Sequence, residues 1–524
     1  MTTPSHRYPS SRLFAGILER VKENFHNGIQ QAETVSRATI DVQESSSVPD
    51  YAHKMNGSVF MKHFATIAIE GMLGDFIQMF QDVVMKRLVE EGMRAKEAGL
   101  LPDDELSTPS TPVAMQCPEP QAVVLSVPFS ALSDAVIDIS ENATPRRFRF
   151  IDCSELVHGC TLRVLEYSDL SAQSYATISY VWRGVIGPAT ASMAKYGSFA
   201  VAGAIDGDPI SIDVLLHVCR ACLLDKIPLI WLDRLGIIQT SREDKAWQIQ
   251  RMYSVYASCT KCYVLPGGTR RLASIGEPTL WIHRGWTLQE AVAPKECSVV
   301  IQWECTSGRF GNPRKPLGTS GTVEEIVSGE SAQIELSSLL KASVAENVEF
   351  RIPSGPGTWK GQKIDITIRI FGTDEEAGWR HAFALSAALT PVDEVVDPQC
   401  IKKKTAFWRS AQMRTSSRPV DMVFSIMGLF GVTLNPRKFE THDRLGATIA
   451  LAREILKQGG SPAWLATSLS LPENPSIRSF PKFPETDKAG AAVYEVGSQR
   501  LEAAELMQDV DVLEYGNPAS CRAC

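Results

Sequence analysis

The sequence predicts an α/β fold, a parallel sheet flanked by helices, on three observations. Between residues 175 and 303, short apolar runs of strand length alternate with segments of helical period. Polar or Gly/Pro turn signals stop these runs, as at Arg183-Gly184, Asp233 and Pro266-Gly267-Gly268. At 524 residues, 44% hydrophobic and 22% charged, the chain is long enough to cover such a sheet and to hold about three domains.

Taken in order, residues 1–100 read as a mainly helical region. An amphipathic helix is expected near Leu13–Phe25 and a long one over 59–95. In the long one Phe60, Phe64, Ile67, Phe76, Phe80, Val83 and Val84 recur at helical spacing. That face packs on its own protein or docks a partner. The Pro/Ser/Thr-rich stretch 101–120 is a linker. Residues 121–310 form the α/β domain, with its motif core at 175–303. Strands are expected at 176–182, 228–232, 262–265 and 297–303, and helices at 211–224, 244–259 and 286–292. Ser241-x-x-Asp244 supplies the start signal of the second helix, the hydroxyl accepting an orphan backbone N–H. Residues 311–524 read as an α+β region. There 306–330 is loop-like, Ile364, Ile366, Ile368 and Ile370 alternate as a half-buried strand, helices cover 375–390, 400–416 and 441–458, and 472–524 is irregular.

The net charge of −7 gives no support to nucleic-acid binding, which usually needs a basic face. Lys402-Lys403-Lys404, the densest basic patch, reads as a solvated face. The first residues have no apolar stretch suited to a signal peptide. The apolar run Met422–Leu434 falls short of the roughly 20 residues of a membrane span. A cytoplasmic protein is expected, with its twelve cysteines mostly reduced. Cys219/Cys222, Cys259/Cys262 and Cys521/Cys524 are Cys-x-x-Cys pairs, but the two internal pairs lie much farther apart than the roughly 15–20 residues of a paired zinc knuckle. They read as small core residues, and no metal is expected.

The sequence has no His-Glu-x-x-His, no Gly-x-Ser-x-Gly and no Gly-x-Gly-x-x-Gly. What remains is a polar constellation where a parallel sheet binds ligands, beyond the carboxyl ends of its strands. Arg183 follows the first strand and Asp233 the second; Gln239 precedes a helix; Arg284, Trp286 and Glu290 surround the next one. Six of the ten tryptophans lie in this block. Such a crevice suits a polar, ring-bearing ligand, with arginines for its phosphates and carboxylates for its hydroxyls. Each residue also has a plainer reading. Asp233 caps its turn, the arginines pair internally with Asp233 or Glu290, and the tryptophans are core.

At these residues the chain resembles the fungal heterokaryon-incompatibility (HET) domain family. The blocks are Tyr175-Ala-Thr-Ile-Ser-Tyr-Val-Trp-Arg-Gly184, Ile230-Trp-Leu-Asp-Arg-Leu-Gly-Ile-Ile-Gln239 and Arg284-Gly-Trp-Thr-Leu-Gln-Glu290, with Tyr263-Val-Leu-Pro-Gly267 between them. Arg418-Pro-Val-Asp421 is similar to a segment that often follows the core. The family usually has cysteine where this chain has Gly236, which excludes a thiol role and is expected to leave a small void or a looser turn. The resemblance implies fungal non-self recognition and regulated cell death. It also implies a distant likeness to TIR domains, several of which cleave NAD with a glutamate four positions after a tryptophan. Trp286 and Glu290 reproduce that spacing. Glu290 is then the catalytic residue, with Arg183, Asp233, Gln239, Arg284 and Trp286 binding ligand, NAD as substrate and no further cofactor. The alternative is a non-catalytic module that signals by self-association or by binding other incompatibility or immune proteins.

Overall fold

The run Tyr175–Tyr180 is buried at every position, which a strand achieves only with neighbours on both edges and cover on both faces. A computed structural model supplies both. It describes residues 120–170, 173–185, 194–311, 320–344, 348–352, 363–372, 378–390, 401–461, 483–486, 490–496 and 499–506. The chain divides at Thr108/Pro109 into two units, and every described residue belongs to the second. The helices expected at 13–25 and 59–95, almost all of the linker and the Cys521/Cys524 pair lie outside the described residues.

The first elements are β1 (Ala122–Pro128), α1 (Phe129–Leu132), β2 (Val136–Ile137), β3 (Phe148–Asp152), α2 (Cys153–His158) and β4 (Thr161–Tyr167). The central block holds β5 (Tyr175–Tyr180), β6 (Ser198–Val201), β7 (Ile210–Ser211), α3 (Ile212–Leu224), β8 (Leu229–Trp231), α4 (Asp233–Gly236), α5 (Arg242–Ser258), β9 (Lys261–Leu265), α6 (Gly285–Val292) and β10 (Cys297–Gln302). Then come β11 (Gly308–Gly311), β12 (Gly321–Val327), β13 (Ser331–Glu335), α7 (Leu336–Ser343), β14 (Val348–Arg351) and β15 (Lys363–Ile366). Helices α8 (Gly378–Leu389), α9 (Ile401–Gln412), α10 (Asp421–Met427) and α11 (Arg444–Lys457) follow, before a small antiparallel sheet within 485–502.

The expectation of a parallel sheet needs correcting: the sheet is mixed. Its twelve strands run in the order β1-β4-β3-β8-β5-β9-β10-β13-β12-β11-β14-β15. Only the central four, β8-β5-β9-β10, are parallel to one another. These are the strands joined by helical crossovers, long enough to bring the chain back to the same end. Short links such as Ser328–Glu330, where Gly329 takes φ +68°, can only make antiparallel pairs. The change of character expected at residue 310 leaves no seam, because β10 pairs with β13.

Two further expectations change. The Gly-rich stretch 306–330 contains strands β11 and β12. Its glycines serve close approach: a Cβ on Gly308 would lie 2.5 Å from the Phe350 ring, and one on Gly321 2.4 Å from that of Phe310. The isoleucine alternation at 364–370 is strand only as far as Ile366; Ile368 and Ile370 leave the sheet and enter the core.

Helices cover both faces, as side-chain alternation requires. On β9, Tyr263 and Leu265 join the core around α3, whereas Val264 joins the one built with α6 to α11. On β10, Val300 takes the first side and Val299 and Ile301 the second. Helix α5 starts as expected, with the Ser241 hydroxyl accepting from Asp244 N–H at 3.2 Å. Among the described residues no helix is long and apolar enough to cross a membrane.

Candidate functional site

Odd and even positions of β5 face opposite ways, so Ser179 shares the face of α6 while Tyr180 looks to the other side. The Ser179 hydroxyl donates to Glu290 Oε2 at 2.6 Å. The Trp281 indole N–H donates to Ser179 Oγ at 2.9 Å. An indole can only donate. It therefore takes up a lone pair of Ser179 and leaves the hydroxyl hydrogen for the carboxyl. Oε2 is thereby the acceptor oxygen, and Oε1 is left to carry a proton. Glu290 is half-buried, and burial pushes its pKa up to about 8. The charge of Asp233 adds to the rise; Ser179, Arg284 and Arg414 oppose it.

Asp233 opens α4 at the end of β8 and is hydrogen-bonded through both oxygens. Its Oδ1 accepts from the Tyr180 hydroxyl at 2.5 Å and from Arg234 N–H at 2.6 Å, and its Oδ2 from the Trp182 indole at 3.2 Å. Gln239 Nε2 donates to the Asp233 carbonyl at 3.0 Å. Arg234, fully buried, donates to Tyr180 at 2.9 Å, to Thr269 at 2.5 Å and to the Asp208 carbonyl, and stacks on the Tyr180 ring. Behind this corner Arg149 is sealed with Glu166 at 3.0 Å and Asp244 at 3.2 Å, and reaches the Gly236 carbonyl at 3.0 Å.

Arg284 is the N-cap residue of α6. Its half-buried guanidinium makes no hydrogen bond or ion pair with any described residue, and burial lowers its pKa despite the charges of Glu290 and Asp421. Trp286, one turn before Glu290, hydrogen-bonds Asp421, whose own pKa burial raises. Arg414 comes from beyond α9 and is 1% exposed. It donates to Thr287 Oγ1 at 2.7 Å and to the Arg284 carbonyl at 3.0 Å. Beside it His283 and His381 stack edge to face with centroids 4.2 Å apart; burial pushes His283 down to about 4 and His381 well below the ordinary histidine value.

Of the predicted residues, the fold gathers Asp233, Arg284, Trp286 and Glu290 around the ends of β5 and β8. Gln239 contributes through the Asp233 backbone. Arg183 is exposed, donates to the Asp206 carbonyl at 3.1 Å and pairs with neither carboxylate. Trp231 is core at 0% exposure, whereas Trp182 and Trp286 are partly open. Sequence reasoning missed Ser179, Trp281 and Arg414. Strand alternation alone places Ser179 on the α6 face, but nothing local marks the other two.

The Gly236 expectation is overturned. A Cβ there would lie 2.4 Å from Trp231 Nε1, so the buried indole already fills the space and glycine leaves neither void nor slack. Among the described residues, no group of three or more His, Cys, Asp and Glu is placed to hold a metal. A cavity of about 1050 Å³ lies near the start of β9 and β10, and none of the predicted site residues lines it.

The parallel centre of an α/β sheet thus carries Glu290, Asp233 and Arg284 near its strand ends. Residues 175–276 match the family model described as Heterokaryon incompatibility protein (HET), and the chain carries a HET domain there. The match takes in the Tyr175 and Ile230 blocks and stops short of Arg284. No curated protein matches the chain. No solved structure matches it either.

Proposed function

We propose that this HET domain protein cleaves NAD or a related nucleotide at Glu290, and that it acts in the fungal cytoplasm as a non-self recognition and cell-death effector. The observation that carries the reading is the Glu290 carboxyl. Among the described residues it is held by one hydrogen bond and stands beside an arginine that none of them bonds, and it retains a proton near neutral pH. The Trp286/Glu290 spacing, similar to that of NAD-cleaving TIR domains, supports the same residue.

The chemistry follows from the charges. A nicotinamide-ribose cation arriving at Glu290 favours the carboxylate, which stabilises the oxocarbenium-like ribose as the C–N bond breaks and its electron pair leaves with nicotinamide. Water then bonds to the ribose carbon, and the carboxylate takes the proton released. A base with a pKa near 8 is well matched to that step. Arg284 receives a phosphate oxygen; Trp286 offers a ring edge. Purified protein incubated with NAD should release nicotinamide, and Glu290→Ala should not. Equal release by the two proteins removes the assignment.

A second reading is favoured by the Asp233 corner. Its motif residues satisfy one another, as those of a scaffold that signals by self-association or by binding other incompatibility proteins would. On this reading Glu290→Ala keeps both fold and toxicity in a fungal host, and only Asp233→Ala removes them.

A further inference from the structure

The segment Met413–Ser416 zips onto the entry to α6. Gly285 N–H donates to the Thr415 carbonyl at 2.8 Å, and Thr415 N–H to the His283 carbonyl at 2.8 Å. Arg414, between these bonds, clamps the first turn of α6 through Thr287 Oγ1 and the Arg284 carbonyl, with Nε on Ser410 at 3.3 Å. Its Nη2 has no hydrogen-bond partner among the described residues. A buried guanidinium with a donor unspent is an expensive way to fill space, since an apolar side chain of that volume generally does so at lower free energy. Its charge is therefore the property to explain: Thr287, which it holds, lies three positions before Glu290 on α6, so the guanidinium sits along the helix face of that carboxyl and the two charges interact.

We propose that Arg414, far outside the family-matched stretch, is a positioning residue of the Glu290 site: it orients α6 and supplies the positive charge that governs when Glu290 gives up its proton. The proposal rests on Glu290 being the working group of the site, but its test does not need turnover. The charged and titratable groups facing Glu290 are Asp233 from the end of β8, Arg284 at the α6 N-cap, Tyr256 from α5, Cys262 from β9 and Arg414 itself. Of these, Arg284 and Arg414 oppose protonation.

The experiment measures urea stability against pH for wild type and Glu290→Gln, and for the same pair carrying Arg414→Gln. Within each pair the stability difference changes between the unfolded and the folded pKa of Glu290; its slope falls to half where the folded carboxyl is half-titrated, and that midpoint reads the carboxyl's proton affinity. Arg414→Gln should move the midpoint upward by about one pH unit. Arg414→Lys keeps the charge without the two-point clamp, and should restore the midpoint even if α6 is less firmly held. If Arg414→Gln does not fold, Thr287→Val with Arg414 intact, compared with Arg414→Lys, separates clamp from charge. The Lys variant must then match the wild-type midpoint. An unmoved midpoint in Arg414→Gln, or a Lys variant that shifts it as far as Gln does, overturns the proposal. If NAD is not cleaved by any of these proteins while the midpoint still moves, the proposed function fails and this inference stands.

Discussion

Two carboxylates stand at the carboxyl ends of neighbouring strands in one sheet, and they are provisioned oppositely. Asp233 receives three hydrogen bonds on its two oxygens and a fourth, from Gln239, on its backbone carbonyl. Glu290 receives one. A carboxylate bonded through both oxygens has little left to offer a ligand; it holds its turn in place. A carboxyl with one bond, a retained proton and a guanidinium nearby that no described residue bonds is costly to keep and has capacity to spare. The contrast separates the two carboxylates more sharply than motif membership does, since both residues belong to the blocks that resemble the HET family.

The comparison breaks most visibly if the wrong residue carries activity. Glu290→Gln, isosteric and still able to accept from Ser179, should lower nicotinamide release by at least about a hundred-fold. Retention of wild-type release by purified Glu290→Gln would leave the site without its acid. The reverse pattern is expected at the other corner. Asp233→Ala strands the donors of Tyr180 and Trp182 and should lower stability by about 3 kcal/mol in urea unfolding. A neutral effect there would return Asp233 to the list of ligand-binding groups.

Packing beneath that corner gives the next effect. Gly236→Cys forces a side chain against Trp231, and should cost about 1–3 kcal/mol by the same measurement. An increase in stability would mean that the indole has room to move. The pH dependence comes from Glu290 itself. Folded Glu290 keeps its proton up to about pH 8, whereas an unfolded glutamate loses it near 4.3. Between those values the folded state binds more protons, so wild-type stability falls relative to Glu290→Gln as pH rises. The glutamine variant should therefore be the more stable by a few degrees at pH 9, and the gap should close toward pH 4. His283 acts in the opposite sense, withdrawing stability as pH falls from about 6.5 toward 4. A gap between wild type and Glu290→Gln that stays flat across this range contradicts the raised proton affinity.

The central strands and helices were legible because their signals are local. Buried runs bounded by Arg183-Gly184, Asp233 and Pro266-Gly267 mark β5, β8 and β9, and a serine hydroxyl opposite Asp244 N–H marks the start of α5. The glycines at 308 and 321 misled because the same residue type serves turns and close aromatic approach, and only Phe350 and Phe310 decide which. Sheet direction beyond the central four strands was likewise invisible to a pattern that records period and not partner.

The amino-acid order by itself determined that 175–303 would alternate strand and helix, and that Asp233 and Glu290 would lie near strand ends, because period and turn chemistry act over a few residues. Only the tertiary structure decided which carboxylate receives three hydrogen bonds and which receives one from the described residues. Tyr180, Trp182 and Ser179 reach those oxygens directly; Trp281 acts through Ser179, and Arg414, 124 positions from Glu290 in sequence, through its charge, and proton affinity depends on what surrounds a group in space.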